Sequence, residues 1–229
     1  MNEPIGDSGR NAEVRRLFSE PDRYLSRNPG LFVRAALVRS IVATERPRRI
    51  LDLGCGDGSI SLAFAEQAEH ITLVDRSSGM IERARANTPE DALAKVDFVF
   101  ADISQFSSQR PWDLVLCLGV LAHVESVELV VAKAAESCAP GALCIFQLTD
   151  SHHPLAKALR PYNRARYRLR RGRRYETARM SVQDIVESGR RHSLRCRQVR
   201  NHMPPPTGHE HPTAALGAEA AAASFGAQR

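Results

Sequence analysis

A glycine-rich loop with acidic neighbours is the stretch of the sequence whose residue types most clearly suggest chemistry. Residues 50–59, ILDLGCGDGS, place Gly54, Gly56 and Gly58 at alternate positions after a short apolar run. Glycines let a backbone approach a ligand closely and adopt φ values that are closed to other residues. The dinucleotide-binding fingerprint G-x-G-x-x-G would need a glycine where this chain has Ser59. The loop therefore suits a nucleotide-like ligand but departs from the dinucleotide pattern.

Two acidic residues in and before this loop indicate the charge of its ligand. Asp52 lies two residues before the first glycine, and Asp57 lies inside the loop. Carboxylates beside a pyrophosphate would repel it, whereas they suit a cationic or zwitterionic ligand. S-adenosylmethionine carries an ammonium group and a sulfonium but no phosphate, so it fits this loop better than a dinucleotide does.

Two further aspartates follow predicted strands. Asp75 lies about 20 residues beyond the glycines, which is the spacing expected of a carboxylate that accepts ribose hydroxyls. Asp102 follows the next apolar segment, where a carboxylate can accept the adenine amino hydrogens. An aspartate after a strand is also common as a turn or N-cap residue. Because ligands of open α/β sheets bind beyond the carboxyl ends of the strands, the combination with the glycine loop favours binding.

Alternating strands and helices are predicted to position these residues. Short, apolar, β-branched segments predict strands at residues 49–53, 70–74, 96–100, 112–118 and 141–148, with a weaker edge strand at 192–200. Helices are predicted at residues 11–18, 31–44, 59–68, 79–86, 127–137 and 181–188. Strands separated by helices form parallel sheets that are covered on both faces. We therefore expect an α/β fold with a doubly wound, mostly parallel, Rossmann-like sheet.

Four segments of this predicted core resemble successive motifs of the class I S-adenosylmethionine-dependent methyltransferases. They are ILDLGCGDGS, LVDRSSGM, FVFADI and WDLVLCLGVLAHV. The likeness is to the small-molecule branch that includes the ubiquinone- and menaquinone-type enzymes, and it covers roughly residues 49–149. It implies the Rossmann-like methyltransferase fold and S-adenosyl-L-methionine as the methyl donor.

The resemblance also implies which residues hold the cofactor. The loop glycines line its methionine part, and Asp75 holds the ribose. Met80 and Ile103 enclose the adenine, and Asp102 accepts hydrogen bonds from its edge. Leu118 contributes backbone atoms near the sulfonium. The full set of expected cofactor-binding residues is Asp52, Gly54, Cys55, Gly56, Asp75, Arg76, Met80, Asp102, Ile103 and Leu118. No metal is expected, because the five cysteines contain no C-x-x-C pair and suit small buried hydrophobic positions.

His123, just past the fourth predicted strand, is the candidate catalytic residue. Methyl transfer from a sulfonium mainly requires that the acceptor be positioned and water excluded. A hydroxyl acceptor also loses a proton, and a histidine titrates in the useful range. The alternative is a structural role for His123 at the strand–helix turn. The residues expected near the acceptor are Tyr24, His123, His152, His153 and Tyr162.

The acceptor itself is the least determined part of the prediction. Residues 117–120, CLGV, replace the Asn/Asp-Pro-Pro-Tyr/Phe motif of enzymes that methylate nucleobases, so a small molecule methylated at oxygen is favoured. However, residues 159–175 contain eight arginines with interleaved tyrosines. This stretch is interpreted as a solvated helix, as a patch for an anionic, carrier-linked or lipid-linked acceptor or a membrane surface, or as a nucleic-acid surface.

Three other functions remain as alternatives to a small-molecule enzyme. The arginine-rich stretch favours an RNA or other nucleic-acid methyltransferase. An NAD-dependent oxidoreductase is disfavoured by Asp52 and Ser59, and a non-catalytic cofactor-binding subunit would keep the same loop. The sequence favours neither a monomer nor a homodimer.

The predicted organisation has four segments. Residues 1–45 form a helical lid segment, residues 46–150 the cofactor-binding core, and residues 151–202 a basic acceptor-side region with the last helix and strand. Residues 203–229, rich in proline and alanine, are expected to be disordered, so the antiparallel last strand of the family is expected to be absent or atypical. Without a signal peptide or an apolar run of membrane-spanning length, the protein is expected in the cytoplasm.

Overall fold

The structure is a computed structural model that describes residues 30–149, 180–202 and 220–227. Several predictions therefore lie outside the described residues. They concern Tyr24, His152, His153, Tyr162, the helix at residues 11–18 and the arginine-rich residues 159–175.

Seven strands form one sheet in the order β3-β2-β1-β4-β5-β7-β6. Their bounds are β1 Arg49–Leu53, β2 His70–Asp75, β3 Val96–Phe100, β4 Trp112–Leu118, β5 Cys138–Thr149, β6 Leu194–His202 and β7 Ala220–Ala227. The first five strands pair in parallel, and β7 pairs antiparallel with both β5 and β6. The predicted Rossmann-like sheet is confirmed, and β6 lies at the edge where its alternating arginines placed it.

Four α-helices connect or flank these strands in the described residues. They are α1 Gly30–Val42, α2 Ser78–Asn87, α3 Val127–Ser137 and α4 Val182–Arg191. Serine side chains cap three of them: Ser77 caps α2, Ser126 caps α3, and Ser181 forms a capping box with Asp184 at the start of α4. None of these helices has the length and apolar character that crossing a membrane requires.

The helix predicted at residues 59–68 is wrong. Only a 3₁₀ turn at Leu62–Phe64 forms there, among other turns. The Ser61 hydroxyl donates a hydrogen bond to the buried carboxylate of Asp52, which ties the segment to β1. Phe64 and Ala68 are buried, so the apolar spacing that predicted a helix is satisfied by irregular turns instead.

Apolar side chains cover both faces of the sheet. On one face Leu51 and Leu53 of β1 belong to a core cluster with residues of α3 and α4. On the other face Ile50 belongs to a cluster with Val38 and Val42 of α1. Because successive side chains of a strand point to opposite faces, the short runs of apolar residues in β1, β2 and β4 are buried on both sides.

The expectation that residues 203–229 are disordered is wrong for Ala220–Ala227, and of the two alternatives for the last strand, absent or atypical, absence is wrong. This segment forms β7 and lies between β5 and β6, with ladder partners on both sides. The prolines that argued against a strand all precede residue 213, and β7 contains none. Since backbone groups make the ladder bonds, a run of alanines can fill a position that two neighbouring strands define.

Candidate active site

A cavity of about 250 Å³ lies beyond the carboxyl ends of β1, β2, β3 and β4. This is the edge at which open α/β sheets bind ligands. Nine of the residues predicted to be functional line it: Gly54, Gly56, Asp75, Arg76, Met80, Asp102, Ile103, Leu118 and His123. Residues that are far apart in the sequence are therefore brought to one site, as the predicted sheet required.

Asp75, the last residue of β2, holds the glycine loop in place. Its Oδ2 accepts a hydrogen bond from the Gly56 amide at 2.9 Å, and its Oδ1 accepts one from the Ser77 amide at 2.8 Å. The amide of Gly54 donates to the Val74 carbonyl at 2.8 Å, which adds a second tie between loop and strand. Burial raises the pKa of Asp75, while these amide donors act in the opposite direction.

Asp52 lies beneath the loop and does not line the cavity. Its exposed fraction is only 2%, and the residues of β1 from Ile50 to Leu53 are all buried. The Ser61 hydroxyl donates to its Oδ2, whereas its Oδ1 has no hydrogen-bond partner in the described part of the chain. Burial raises the pKa of Asp52 from 3.8 to about 7, and the charges of Asp75 and Asp57 act in the same direction.

Cys55 is the second predicted cofactor residue that the structure does not bring to the cavity wall. Its Sγ donates to the Gly56 carbonyl at 3.4 Å, and burial raises the pKa of its thiol. Asp52 is buried and Cys55 is half-buried, and neither residue lines the cavity. Direct contact of Asp52 or Cys55 with a ligand stays a prediction.

The loop after β3 carries Asp102 as both a turn residue and a cavity residue. Its Oδ1 accepts hydrogen bonds from the amide and the hydroxyl of Ser104 at 2.9 and 2.7 Å. Its Oδ2 lies 3.8 Å from the Arg76 guanidinium. The turn role and the cavity position, which the sequence presented as alternatives, therefore occur together, beside the buried apolar side chains of Met80 and Ile103.

The glycine loop and the loop after β4 meet at Gly54. Its φ is +81°, and a side chain there would overlap a methyl group of Val120, which also lines the cavity. The φ values of Gly56 and Gly58 are also positive, at +56° and +73°. The sequence-based expectation that the loop needs glycine conformations is confirmed, and at Gly54 the close approach is a second reason.

The segment between β4 and α3 forms the remaining wall, and most of its cavity residues were missed from the sequence. His123 lies here, and its amide donates to the Val120 carbonyl at 2.8 Å. Over the whole cavity, the lining residues that sequence reasoning missed are Ser104, Gly119, Val120, Val124, Glu125, Ser126, Leu129 and Val130. The signal available was topological, since any loop after a central parallel strand borders this edge.

Glu128 holds the first turn of α3, whose residues line the cavity, against α4. It accepts hydrogen bonds from the Ser188 hydroxyl at 2.6 Å and from Arg191 Nε and Nη2 at 3.2 and 2.6 Å. His192 Nε2 lies 2.8 Å from the same carboxylate. The Arg191 and Ser188 donors are the main cause that lowers the pKa of Glu128 from 4.5 to about 2.

This sheet order, with an antiparallel β7 and a glycine loop between β1 and an acid at the end of β2, defines a Rossmann-like methyltransferase fold. A family model described as "Methyltransferase domain" matches residues 22–188, which is most of the chain. The chain therefore belongs to the methyltransferase domain family, and its predicted identification as a class I methyltransferase is confirmed.

A curated relative supports the small-molecule branch of this family. The ubiquinone biosynthesis O-methyltransferase of Rickettsia canadensis is 32% identical over 96 residues, a match that covers 42% of this chain and 40% of the relative. The match thus spans about two-fifths of the relative's length.

Two solved structures show the same fold. The N-methyltransferase NodS of Bradyrhizobium japonicum WM9, in complex with S-adenosyl-L-homocysteine, has a TM-score of 0.69 at 18% identity and covers 97% of this chain and 100% of its own. Magnesium protoporphyrin IX methyltransferase of Synechocystis PCC 6803, with bound S-adenosylhomocysteine, also has a TM-score of 0.69 at 18% identity. That match covers 96% of this chain and 100% of the neighbour.

Proposed function

We propose that this protein transfers a methyl group from S-adenosyl-L-methionine to a small-molecule acceptor, at an oxygen atom. The observation that carries the proposal is the single cavity in which the glycine loop, Asp75 and Asp102 meet the loop that contains His123. The name of the ubiquinone biosynthesis O-methyltransferase from Rickettsia canadensis supports oxygen as the acceptor atom.

The charges around the cavity fit this cofactor. Its charged lining residues in the described part of the chain are Asp75, Asp102, Glu125 and Arg76, so acids outnumber bases three to one. Such a lining suits a ligand with an ammonium and a sulfonium and disfavours the diphosphate of a dinucleotide. Asp75 would hold the ribose with the acceptor capacity that its hydrogen bonds from the amides of Gly56, Ser77 and Arg76 leave.

The residues of the chain would act mainly by positioning. When bound, S-adenosyl-L-methionine supplies a methyl group that a nucleophilic oxygen displaces from a positively charged sulfur. The apolar walls from Leu118, Val120 and Val124 exclude water from the acceptor. His123, on the same wall, accepts the proton that the acceptor hydroxyl loses as its oxygen bonds to carbon.

Calorimetric titration tests the cofactor. We expect S-adenosylhomocysteine to bind at least about a hundredfold more tightly than NAD, because the loop lacks the dinucleotide pattern. Asp75→Ala is expected to abolish this binding, and Asp91→Ala, at an exposed position outside the cavity, is the matched control. Tighter binding of NAD, or equal binding by the Asp75→Ala protein, would contradict the proposal.

The role of His123 as a base is tested by its replacement. We expect His123→Ala to lower the turnover of labelled methyl groups at least tenfold, a threshold below the roughly 10²–10⁴-fold that general-base catalysis typically contributes. Its affinity for S-adenosylhomocysteine should stay within about twofold of the wild type, because Asp75 and the glycine loop remain. Unchanged turnover would remove His123 from the mechanism and leave the rest of the proposal standing.

The arginine-rich residues 159–175 support a second candidate, methylation of RNA or another nucleic acid. The same arginines would also suit an anionic, carrier-linked or lipid-linked small acceptor. Incubation with labelled S-adenosylmethionine and total cell extract separates the two, since label in the RNA fraction favours the second candidate. Label confined to small molecules or lipids favours the first.

A further inference from the structure

A second cavity, of about 260 Å³, lies at the edge of the sheet opposite to the cofactor site. Its lining comes from residues 45–48 before β1, from the start of β4 and from the start of β5. Leu114 of β4 lines this cavity and Leu118 lines the other, about 13 Å further along the strand. The two cavities share no lining residue. The second volume is close to that of the cofactor cavity, about 250 Å³, so it is large enough for a small-molecule ligand.

The irregular start of β5 forms one wall of this cavity. Between the ladder pairs Trp112–Cys138 and Leu114–Leu143, β4 advances by two residues and β5 by five. Residues 139–142 therefore have no one-to-one partner in β4, and β7 pairs with β5 only from Leu143 onwards. A bulge of this kind bends a strand out of the regular sheet. The buried residues Leu114 and Leu143 give the cavity the apolar part of its lining.

Asp113 lies in this gap of the ladder, and two backbone amides hold its carboxylate in place. Its Oδ2 accepts hydrogen bonds from the amides of Arg48 and Arg49 at 3.0 and 2.9 Å. Its Oδ1 accepts none from the described part of the chain. Because Asp113 lines the cavity, a fixed carboxylate oxygen is left there for a donor group of a ligand.

Arg46 supplies the complementary charge from a strained backbone conformation. Its φ is +42°, and among the described residues other than glycine only Ser193 shares a positive value. This conformation costs free energy in a residue with a Cβ atom, and such strain concentrates at functional sites. Arg46 is exposed, and its guanidinium makes no hydrogen bond or ion pair with the described residues. Its five N–H groups are therefore available to a ligand.

The other two charged residues of the lining already have partners outside it. Oε1 of Glu45 lies 3.1 Å from Nη1 of Arg197 in β6, and Arg48 forms an ion pair with Glu69. The lining therefore leaves one guanidinium and one carboxylate oxygen for a ligand, beside apolar residues. A ligand that meets both carries a cation and an anion on one small skeleton.

We propose that the second cavity binds a free α-amino acid with an aliphatic side chain, in its zwitterionic form. The guanidinium of Arg46 donates hydrogen bonds to the carboxylate, and Oδ1 of Asp113 accepts one from the ammonium. The aliphatic side chain lies against Leu114 and Leu143. This inference does not depend on the proposed methyl transfer, because no residue of the cofactor cavity takes part.

Three molecules with one aliphatic skeleton test the proposal on the protein saturated with S-adenosylhomocysteine, which keeps them out of the cofactor cavity. Leucine carries both charges, 3-methylbutylamine lacks the carboxylate, and 4-methylpentanoate lacks the ammonium. In ligand-observed NMR titrations we expect leucine to bind at least about tenfold more tightly than either partial probe, because a polar site rejects an analogue that leaves its groups unpaired. Equal affinities of the three probes, or no binding of leucine, would overturn the proposal.

Asp113→Asn tests the contact with the ammonium and keeps the contact with the backbone. The amide oxygen of asparagine still accepts from the amides of Arg48 and Arg49, while its NH₂ group puts a donor in the place of Oδ1. We expect this variant to bind leucine no more tightly than 4-methylpentanoate. Asp91→Asn, at an exposed position outside both cavities, is the matched control and should keep the preference for leucine.

Arg46→Gly removes the guanidinium and the backbone strain together. We expect it to bind leucine and 3-methylbutylamine equally well and to raise the thermal unfolding midpoint, since glycine adopts positive φ values freely. Ser193→Gly is the control, because Ser193 has a φ of +59° and lies outside both cavities. It should raise the midpoint and leave the affinity for leucine unchanged. If Arg46→Gly raises the midpoint but binds leucine as the wild type does, Arg46 is only structural and the proposal is wrong.

Competition separates this site from the cofactor site. We expect leucine binding to persist when S-adenosylhomocysteine saturates the protein, because the two cavities share no lining residue. Loss of leucine binding on saturation would place leucine in the cofactor cavity and contradict the inference. If S-adenosylhomocysteine itself does not bind, the proposed function fails, whereas a preference for leucine that Asp113→Asn abolishes would still support the amino-acid site.

Discussion

At the scale of single residues, the buried carboxyl group of Asp52 makes the stability of the protein depend on pH. Its carboxyl group is buried beneath the loop, with the Ser61 hydroxyl on one oxygen and no described partner for the other. Desolvation by burial raises the pKa of Asp52 from 3.8 to about 7. Below about pH 7 the folded protein therefore favours the protonated form of Asp52, whereas this group ionises near pH 4 in the unfolded chain. Burial also raises the pKa of Asp75.

We predict that Asp52 makes the protein less stable as pH rises. A group with a raised folded-state pKa stabilises fully below its unfolded pKa and loses that contribution as pH rises through the folded value. Between pH 4 and pH 8 the loss is as much as about 4 kcal/mol, since each tenfold difference in proton affinity between the folded and unfolded states corresponds to about 1.4 kcal/mol. Urea unfolding across this range should show the loss in the wild type and not in Asp52→Asn.

Asp91→Asn, at an exposed position, is the control and should follow the wild type. The difference between the wild type and each variant is the quantity to compare, because the other carboxylates titrate in all three proteins. Parallel curves for the wild type and Asp52→Asn would show that Asp52 is ionised at neutral pH in the folded protein.

Gly54 provides a second prediction at this scale, with a matched control in the same chain. Gly54 and Gly141 have nearly equal φ values, +81° and +82°, so alanine meets the same backbone strain of about 1–2 kcal/mol at both. A Cβ at Gly54 also overlaps Val120, whereas nothing lies within 4 Å of one at Gly141. We expect Gly54→Ala to weaken S-adenosylhomocysteine binding at least tenfold and Gly141→Ala to leave it unchanged. Similar affinities in calorimetry would contradict the role of close approach.

The residues that the sequence identified and those that it missed differ in where their signals lie. The sequence identifies the glycines, Asp75 and Asp102 because each follows an apolar segment that predicts a strand. Val120 and Val124 of the cavity wall carry no such mark, since an apolar residue that follows a strand resembles any core residue. Only the folded sheet brings them to the wall of the cavity, so sequence reasoning left the acceptor undetermined.

At the scale of elements, the strands were more predictable than the turns between them. β3 and β4 have the predicted bounds, residues 96–100 and 112–118. The apolar residues of β4 are buried on both faces of the sheet, whereas β3 is an edge strand with Asp97 and Phe100 exposed, and its alternating pattern alone predicts it. The segment after the glycine loop was predicted as a helix from apolar spacing that its irregular turns also satisfy. The bond between Ser61 and Asp52, which holds these turns to β1, is a tertiary contact without a local signal.

We predict that Glu128 couples the stability of α3 and α4 to the cavity. Glu128→Gln removes the charge that Arg191 and Ser188 hold. We expect it to lower the free energy of unfolding at pH 7 by about 1 kcal/mol, a modest value because the carboxylate is partly solvated. Affinity for S-adenosylhomocysteine should fall a few-fold, since Ser126, Leu129 and Val130 of the same turn line the cavity.

The pH dependence of this contribution has the opposite sign to that of Asp52. A carboxylate with a lowered folded-state pKa stabilises above its unfolded pKa, here 4.5, and loses that contribution as pH falls towards 2. Glu136→Gln, on an exposed face of the same helix, is the control and should leave both stability and affinity unchanged. A Glu128→Gln protein that matches this control would show that α3 and α4 are held together by apolar packing alone.

At the scale of the whole molecule, β7 joins the end of the chain to the middle of the fold. It pairs with β5 from Leu143 to Thr149 on one side and with β6 on the other. β5 carries Gln147, whose ladder partner in β7 is Ala222. The sequence did not predict this strand because alanine has a low strand propensity and marks no face as buried. Pairing on both edges, which is a property of the complete sheet, determines its position.

We predict that interrupting β7 destabilises the whole domain. Ala223 has ladder partners on both sides, Phe146 in β5 and Val199 in β6. Proline at this position removes an amide donor from a strand that is paired on both sides, and its carbonyl partner loses a hydrogen bond. Ala223→Pro should therefore lower the free energy of unfolding by about 2 kcal/mol or more. Ala223→Ser keeps the amide and a small side chain, and should stay within about 0.5 kcal/mol of the wild type. Urea unfolding followed by circular dichroism should show one cooperative transition, shifted to lower urea only for the proline variant. If that variant instead unfolds at the wild-type midpoint, β7 contributes nothing to the stability of the sheet.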